Sequence, residues 1–151
     1  MTYFEKSILI DCRIEKAFEF HSDTNNLPKI TPDFIKARII KMDKPLKLNS
    51  RIILEITQFK ILKTRWEILL TDFEPNILIT DTQKKGPFKF WIHSHCFEEQ
   101  SGKTLMTDKI HYELPFGIFG KIANSLIVKN MIEKQFKFRH KVTKEILENT
   151  I

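Results

Sequence analysis

No proline or glycine follows Gly120. The spacing predicts one uninterrupted helix from about residue 117 to 149. Ile118, Ile122, Leu126, Ile132, Phe136 and Leu147 trace an apolar stripe along it at helical spacing. Val128 and Ile146 flank the stripe, Lys137 and Lys141 lie off it, and Lys129 interrupts it. A helix of about 30 residues spans roughly 45 Å, longer than a small domain is wide. It cannot bury its stripe alone, so it is expected to lie across a sheet.

The rest of the chain supplies the sheet. Pro28, Pro32, Pro45, Pro75, Gly86-Pro87, Gly102 and the stretch from Pro115 to Gly120 cut it into pieces of strand length. Phe4 to Cys12 alternates imperfectly and fits a first strand. Ile14, Ala17, Phe18 and His21 recur at helical spacing in a short helix. Asn25 to Ile30 reads as a second helical turn, stopped at Thr31-Pro32 because a residue before proline avoids the α region. Six strand segments follow: Ile35 to Met42, Arg51 to Phe59, Leu62 to Phe73, Ile77 to Gln83, Phe88 to Glu98 and Thr104 to Leu114. Their joins are mostly short, which predicts an antiparallel meander. The fold class is α+β, a curved sheet gripping a long helix with a space between them.

Composition narrows the function. The chain has 151 residues, 42% hydrophobic and 29% charged, enough for one globular domain with a core. Thirteen Phe against four Gly means aromatic bulk that fills a core or lines a cavity. The net charge of +6 is spread along the chain, and no nucleic-acid-binding module is present. A solvated lysine surface is the expected reading, with at most weak attraction to anionic membranes. Cys12 and Cys96 form neither a CxxC nor a zinc spacing, and a disulfide between them is not expected. No apolar run approaches a membrane span, and residues 1–7 lack a signal-peptide core. A cytoplasmic location with reduced thiols is expected.

The most informative stretch is Phe88 to Leu114. A turn centred on Ser101-Gly102 sets Gln100 opposite Lys103, Phe97 opposite Met106, His95 opposite Asp108, His93 opposite Ile110 and Trp91 opposite Tyr112. One face then carries Trp91, His93, His95, Phe97, Met106, Asp108, Ile110, Tyr112 and Leu114. It is the less charged face and is expected to point inward. Buried polar groups there must bond to one another, to water or to a ligand. Three readings stay open. The group is a self-satisfied network with His95 donating to Asp108, or it is the polar spot of a small-molecule pocket. The third is catalysis or metal binding, with His93 and His95 at i, i+2 and Asp108 as a third ligand. No nucleophile motif or complete metal set supports that third reading. Trp66 faces either the core or the cavity. The facing of Asp81 and Gln83 depends on the length of the Gly86-Pro87 turn. Gly117-Ile-Phe-Gly120 lacks the Lys-Ser/Thr of a phosphate loop and reads as a strand-to-helix turn.

At this hairpin the chain resembles a known family. Gly86-Pro87-Phe88, Trp91-Ile-His93-Ser-His95-Cys-Phe97 and Thr104-Leu-Met-Thr-Asp108-Lys-Ile-His-Tyr112-Glu-Leu-Pro115-Phe-Gly117 are similar to the SRPBCC ligand-binding proteins of the START-like, helix-grip superfamily. Asn26-Leu27-Pro-Lys-Ile30-Thr31-Pro32 and Phe136-Lys-Phe138-Arg139-His140 extend the resemblance nearly end to end. A proline expected near Arg13-Ile14 is missing, which loosens the start of the first helix. The resemblance implies a seven-stranded antiparallel sheet, two short helices and a long C-terminal helix over a hydrophobic cavity. Members of the superfamily include lipid carriers, plant hormone binders and aromatic polyketide cyclases.

The resulting expectation is a binding module for an apolar or amphipathic small molecule, lipid-like or aromatic. Trp66, Trp91, Phe97, Met106, Ile110 and Tyr112 supply contact surface, and His93, His95 and Asp108 orient a polar group. No cofactor or metal is called for, and no nucleic-acid partner. The alternative is a cyclase or dehydrase using His95 and Asp108 as an acid/base pair. A third reading, an interaction or stress protein without a ligand, requires an exposed apolar patch and a cavity filled by side chains.

Overall fold

The computed structural model describes residues 1–58 and 60–149. The element order is β1 (Thr2–Ile10), α1 (Ile14–Ser22), a 3-10 turn (Thr24–Ile30), β2 (Ile35–Met42), β3 (Arg51–Gln58), β4 (Leu62–Glu74), β5 (Leu78–Lys85), β6 (Phe90–Gln100) and β7 (Lys103–Glu113). The chain then turns helical through α2 (Gly117–Ala123), a π turn (Asn124–Val128) and α3 (Lys129–Asn149). The expected strand end at Phe59 lies outside the described residues.

Seven strands form one antiparallel sheet in the order β1-β7-β6-β5-β4-β3-β2. The first strand closes against the last, and the other neighbours are consecutive hairpins. The β6–β7 register pairs Trp91 with Tyr112, His95 with Asp108 and Phe97 with Met106, as the two-residue turn predicts. Ser101 and Gly102 both have positive φ, 52° and 81°, the mirror-image turn that matches strand twist. Cys12 and Cys96 are both free.

The concave face buries Ile10, Ile52, Leu54, Ile68, Leu70, Ile79, Phe97 and Met106 with Ala17 and Phe18 of α1 and Leu147 of α3. A second cluster, Trp91, Ile110 and Tyr112 with Ile132 and Phe136, packs the first half of α3 onto β6 and β7.

The expected single helical stripe is corrected in its first third. Ile118, Ile122 and Leu126 are 69%, 52% and 68% exposed, whereas Ile132 and Phe136 are buried. Phe116 and Phe119 are exposed beside them. The physical reason is the π turn. It inserts an extra residue into the helix and rotates the preceding stripe off the line facing the sheet. Phe116, in the left-handed region at φ 72°, starts α2 at the sheet's rim. Tyr112 Oη donates to Asn124 Oδ1 at 2.6 Å, and Asn124 Nδ2 donates to Thr2 Oγ1 at 3.2 Å. The overhang is therefore tied down by polar contacts at the π turn.

No helix among the described residues is long and apolar enough to cross a membrane.

Candidate functional site

Between the sheet, the 3-10 turn and α3 lies a cavity of about 170 Å³. Its walls are mostly aliphatic and aromatic: Ile52, Leu54, Ile68 and Leu70 from the middle strands, Trp66 and Trp91 at one end, and Ile132 and Phe136 from α3. Trp66 and Trp91 meet edge to face at 5.4 Å. Polar residues line it too, among them His21, Asp81, His93, His95, Gln135 and Arg139.

The strand period explains the wall. Trp91, His93, His95 and Phe97 alternate with outward residues along β6, and Met106, Asp108, Ile110 and Tyr112 do so along β7. All eight are buried. Of the nine residues proposed for ligand contact, Trp66, Trp91, His93 and His95 line the cavity. Phe97 and Met106 belong to the core around α1, while Ile110 and Tyr112 pack under Trp91. Asp108 sits behind the histidines, fully buried.

Asp108 is the hub of the polar group. His93 Nε2 donates to its Oδ1 at 2.9 Å, and His140 Nε2 to its Oδ2 at 2.5 Å. His95 Nδ1 lies 2.5 Å from Oδ1, but it lacks hydrogen-bond direction and counts as unpaired. His95 is therefore a close neighbour of Asp108 and not its principal donor. Burial alone pushes the Asp108 carboxyl up. The close approach of His95 and the bonds from His140 and His93 outweigh burial and hold it well below the usual range.

His93 is gripped on both sides, because its Nδ1 lies 3.1 Å from Asp81 Oδ2. Burial lowers its pKa, but the Asp81 charge and the contacts to Asp108 and Asp81 win, raising it to about 9. A carboxylate at each ring nitrogen favours the doubly protonated ring. The His95 ring stands 4.2 Å from His93, and burial together with that like charge pushes its pKa down. The His21 ring lies 5.0 Å from that of His95, tilted by 51°. Its Nδ1 donates to Ala17 O at 2.9 Å, and burial lowers its pKa to about 3. Its buried Nε2 is thus a bare acceptor.

The turn at Gly86-Pro87 settles Asp81 and Gln83. Asp81 pairs across the sheet with His93, while Gln83 Nε2 donates to Phe88 O at 2.7 Å and braces the turn.

Three polar residues of the site were not singled out from the sequence as site residues, His21, Arg139 and His140, and the facing of Asp81 was left open. The buried face of α3 runs Ile132, Phe136, Arg139, His140, Thr143 and Leu147. A stripe scored on apolar residues skips its polar middle, although that middle lies within the same helical period.

Asp81, His93 and His95 place one ligand atom each within 4.8 Å of one another, the spacing of a three-residue metal set. Both nitrogens of His93 already face carboxylates. A cation there would have to replace the proton that His93 directs at Asp81. The arrangement favours a protonated His93.

The family model described as polyketide cyclase / dehydrase and lipid transport matches residues 10–139. No curated relative matches the sequence. Solved structures share the fold. A protein from Chromobacterium violaceum has a TM-score of 0.78 at 11% identity, covering 99% of this chain and 100% of that one. A START superfamily protein from Mycobacterium smegmatis has a TM-score of 0.73 at 14% identity, covering 97% of each chain. A di-domain ARO/CYC from the steffimycin biosynthetic pathway has a TM-score of 0.77 at 11% identity. In that case 97% of this chain spans 50% of the other.

Proposed function

The chain belongs to the polyketide cyclase / dehydrase and lipid transport family, and from that premise we propose that it binds an apolar or amphipathic small molecule in the cavity under α3. The observation that carries this reading is the cavity itself. An apolar wall with a few convergent polar groups is the usual form of a small-molecule site. The size limits the guest. A dry cavity of about 150 Å³ holds one benzene ring, so about 170 Å³ suits a small aromatic or a short acyl chain. Titration with indole, a neutral aromatic of that size, followed by calorimetry, tests the reading. Saturable one-to-one binding is expected, with loss in Ala37→Phe, which projects bulk into the cavity. Absence of binding by indole and by small alkylbenzenes alike would remove the reading.

A second reading keeps the cavity and adds chemistry, with His95 and Asp108 as an acid/base pair. Its support is the 2.5 Å approach of His95 Nδ1 to Asp108 and the place of His95 on the cavity wall. On that reading, His95→Ala abolishes turnover of a bound substrate and leaves its affinity largely intact. Equal turnover in the variant would dismiss it.

A further inference from the structure

We propose that Arg139 is the receptor for an anionic head group, most simply a carboxylate, so that the cavity's guest is a small amphipathic acid; this rests on the reading that the cavity takes a small molecule.

Arg139 stands in the polar middle of the buried face of α3 and lines the cavity. It is 7% exposed. Its guanidinium carbon lies 4.7 Å from the centre of the Phe136 ring, one turn earlier on the helix. That contact offsets part of the cost of burial but occupies none of the N–H donors in the guanidinium plane. Among the described residues no hydrogen bond or ion pair reaches the group, and its Nε is buried without a partner. An unpaired buried cation is costly, and native proteins rarely keep one without a use.

The nearby carboxylates do not fill this role. Asp108 and Asp81 attract Arg139 at longer range. Both oxygens of Asp108 are taken by His93 and His140, and Asp81 is turned to His93. The His93 imidazolium offsets one of these two carboxylate charges, and Arg139 offsets the other only at longer range. The donors of Arg139 are left without an oxygen to bond.

Three of the other polar groups on the wall bear on where an anion can sit. His21 Nε2 is a bare acceptor on the α1 side and repels a carboxylate, while Asp81 does so on the sheet side. Gln135, one turn before Arg139, lines the cavity with an amide that can donate. The anion is thereby confined to the α3 side, and the apolar body points toward Trp66 and Trp91. A guanidinium offers a carboxylate a two-pronged fit that an ammonium does not.

The test compares phenylacetate with its neutral isostere phenylacetamide by calorimetry on the intact protein, with indole as the neutral reference. Charge-assisted bonding predicts that wild type binds the acid about tenfold tighter than the amide, or more. In Arg139→Met, which keeps length and removes charge and donors, the preference should vanish through loss of acid affinity alone. Arg139→Lys should retain a reduced preference, and it serves where the methionine variant does not fold. Equal affinities in wild type, or a preference that survives in Arg139→Met, would overturn the proposal. Binding of indole with no binding of either probe overturns it too, while leaving the small-molecule reading intact. Failure of all three, indole included, removes both.

Discussion

His140 on α3 donates Nε2–H to Oδ2 of Asp108 on β7 at 2.5 Å, joining the long helix to the sheet through two buried side chains. Asp108 holds His93 by its other oxygen. One carboxylate thus ties together the helix, the sheet and the cavity wall. Replacing it by a neutral group strips the compensation from a buried imidazolium. Asp108→Asn is expected to lose about 3–5 kcal/mol of unfolding free energy. Urea denaturation measures it, and a loss below about 1 kcal/mol would show that the hub contributes little to the fold.

The pH dependence of stability follows from the same group. His93 has a pKa raised from 6.5 to about 9. Its contribution is full below pH 6.5 and is lost as pH rises through about 9. His21 is shifted the other way, from 6.5 to about 3, so the unfolded chain takes up its proton first on acidification. Stability therefore falls as pH drops below 6.5 toward 3. Stability is expected to peak near pH 6.5 and to decline on both sides. His93→Gln should flatten the alkaline limb and leave the acidic limb in place. Urea midpoints across a pH series decide this, and an unchanged alkaline limb in the variant speaks against a charged His93.

The two halves of the apolar helical stripe should differ sharply in energy. Phe136 is 1% exposed and Ile132 is 2% exposed. Phe136→Ala is expected to cost about 3–5 kcal/mol. Ile118→Ala and Leu126→Ala, at surface positions, should stay within about 0.5 kcal/mol. Thermal unfolding of the three variants tests the contrast. Comparable losses would mean that the overhang packs against something in solution.

Asn124 accepts from Tyr112 at the start of the π turn. Asn124→Ala leaves the Tyr112 hydroxyl without its partner, at a cost of about 1–3 kcal/mol. The loss should be local. Hydrogen exchange is expected to quicken in residues 117–128 and to hardly change in β6 and β7. Uniform acceleration across the sheet would contradict that placement.

What the sequence disclosed follows from how each feature is encoded. The β6–β7 hairpin was legible because a two-residue turn at Ser101-Gly102 and a period of two fix every facing residue from Trp91 to Tyr112. The facing of Asp81 was not legible, because it depends on the length of the Gly86-Pro87 turn that sets the β5–β6 register. The overhang was not legible either. Ile118, Ile122 and Leu126 have the same spacing as a buried stripe, and a π turn leaves no mark in hydrophobicity. Arg139 and His140 were not legible, because charged and polar residues on a helix mostly face solvent. The cue available was positional, since both fall on the arc set by Ile132, Phe136 and Leu147.

The central claim is that the cavity under α3 holds a small guest, and native mass spectrometry of protein purified from cells addresses it most directly. The predicted spectrum shows the 18.0 kDa chain with a small additional mass. That mass should disappear on denaturation and be absent from Ala37→Phe. A bare chain in every preparation, together with no uptake of added indole or phenylacetate, would contradict the account.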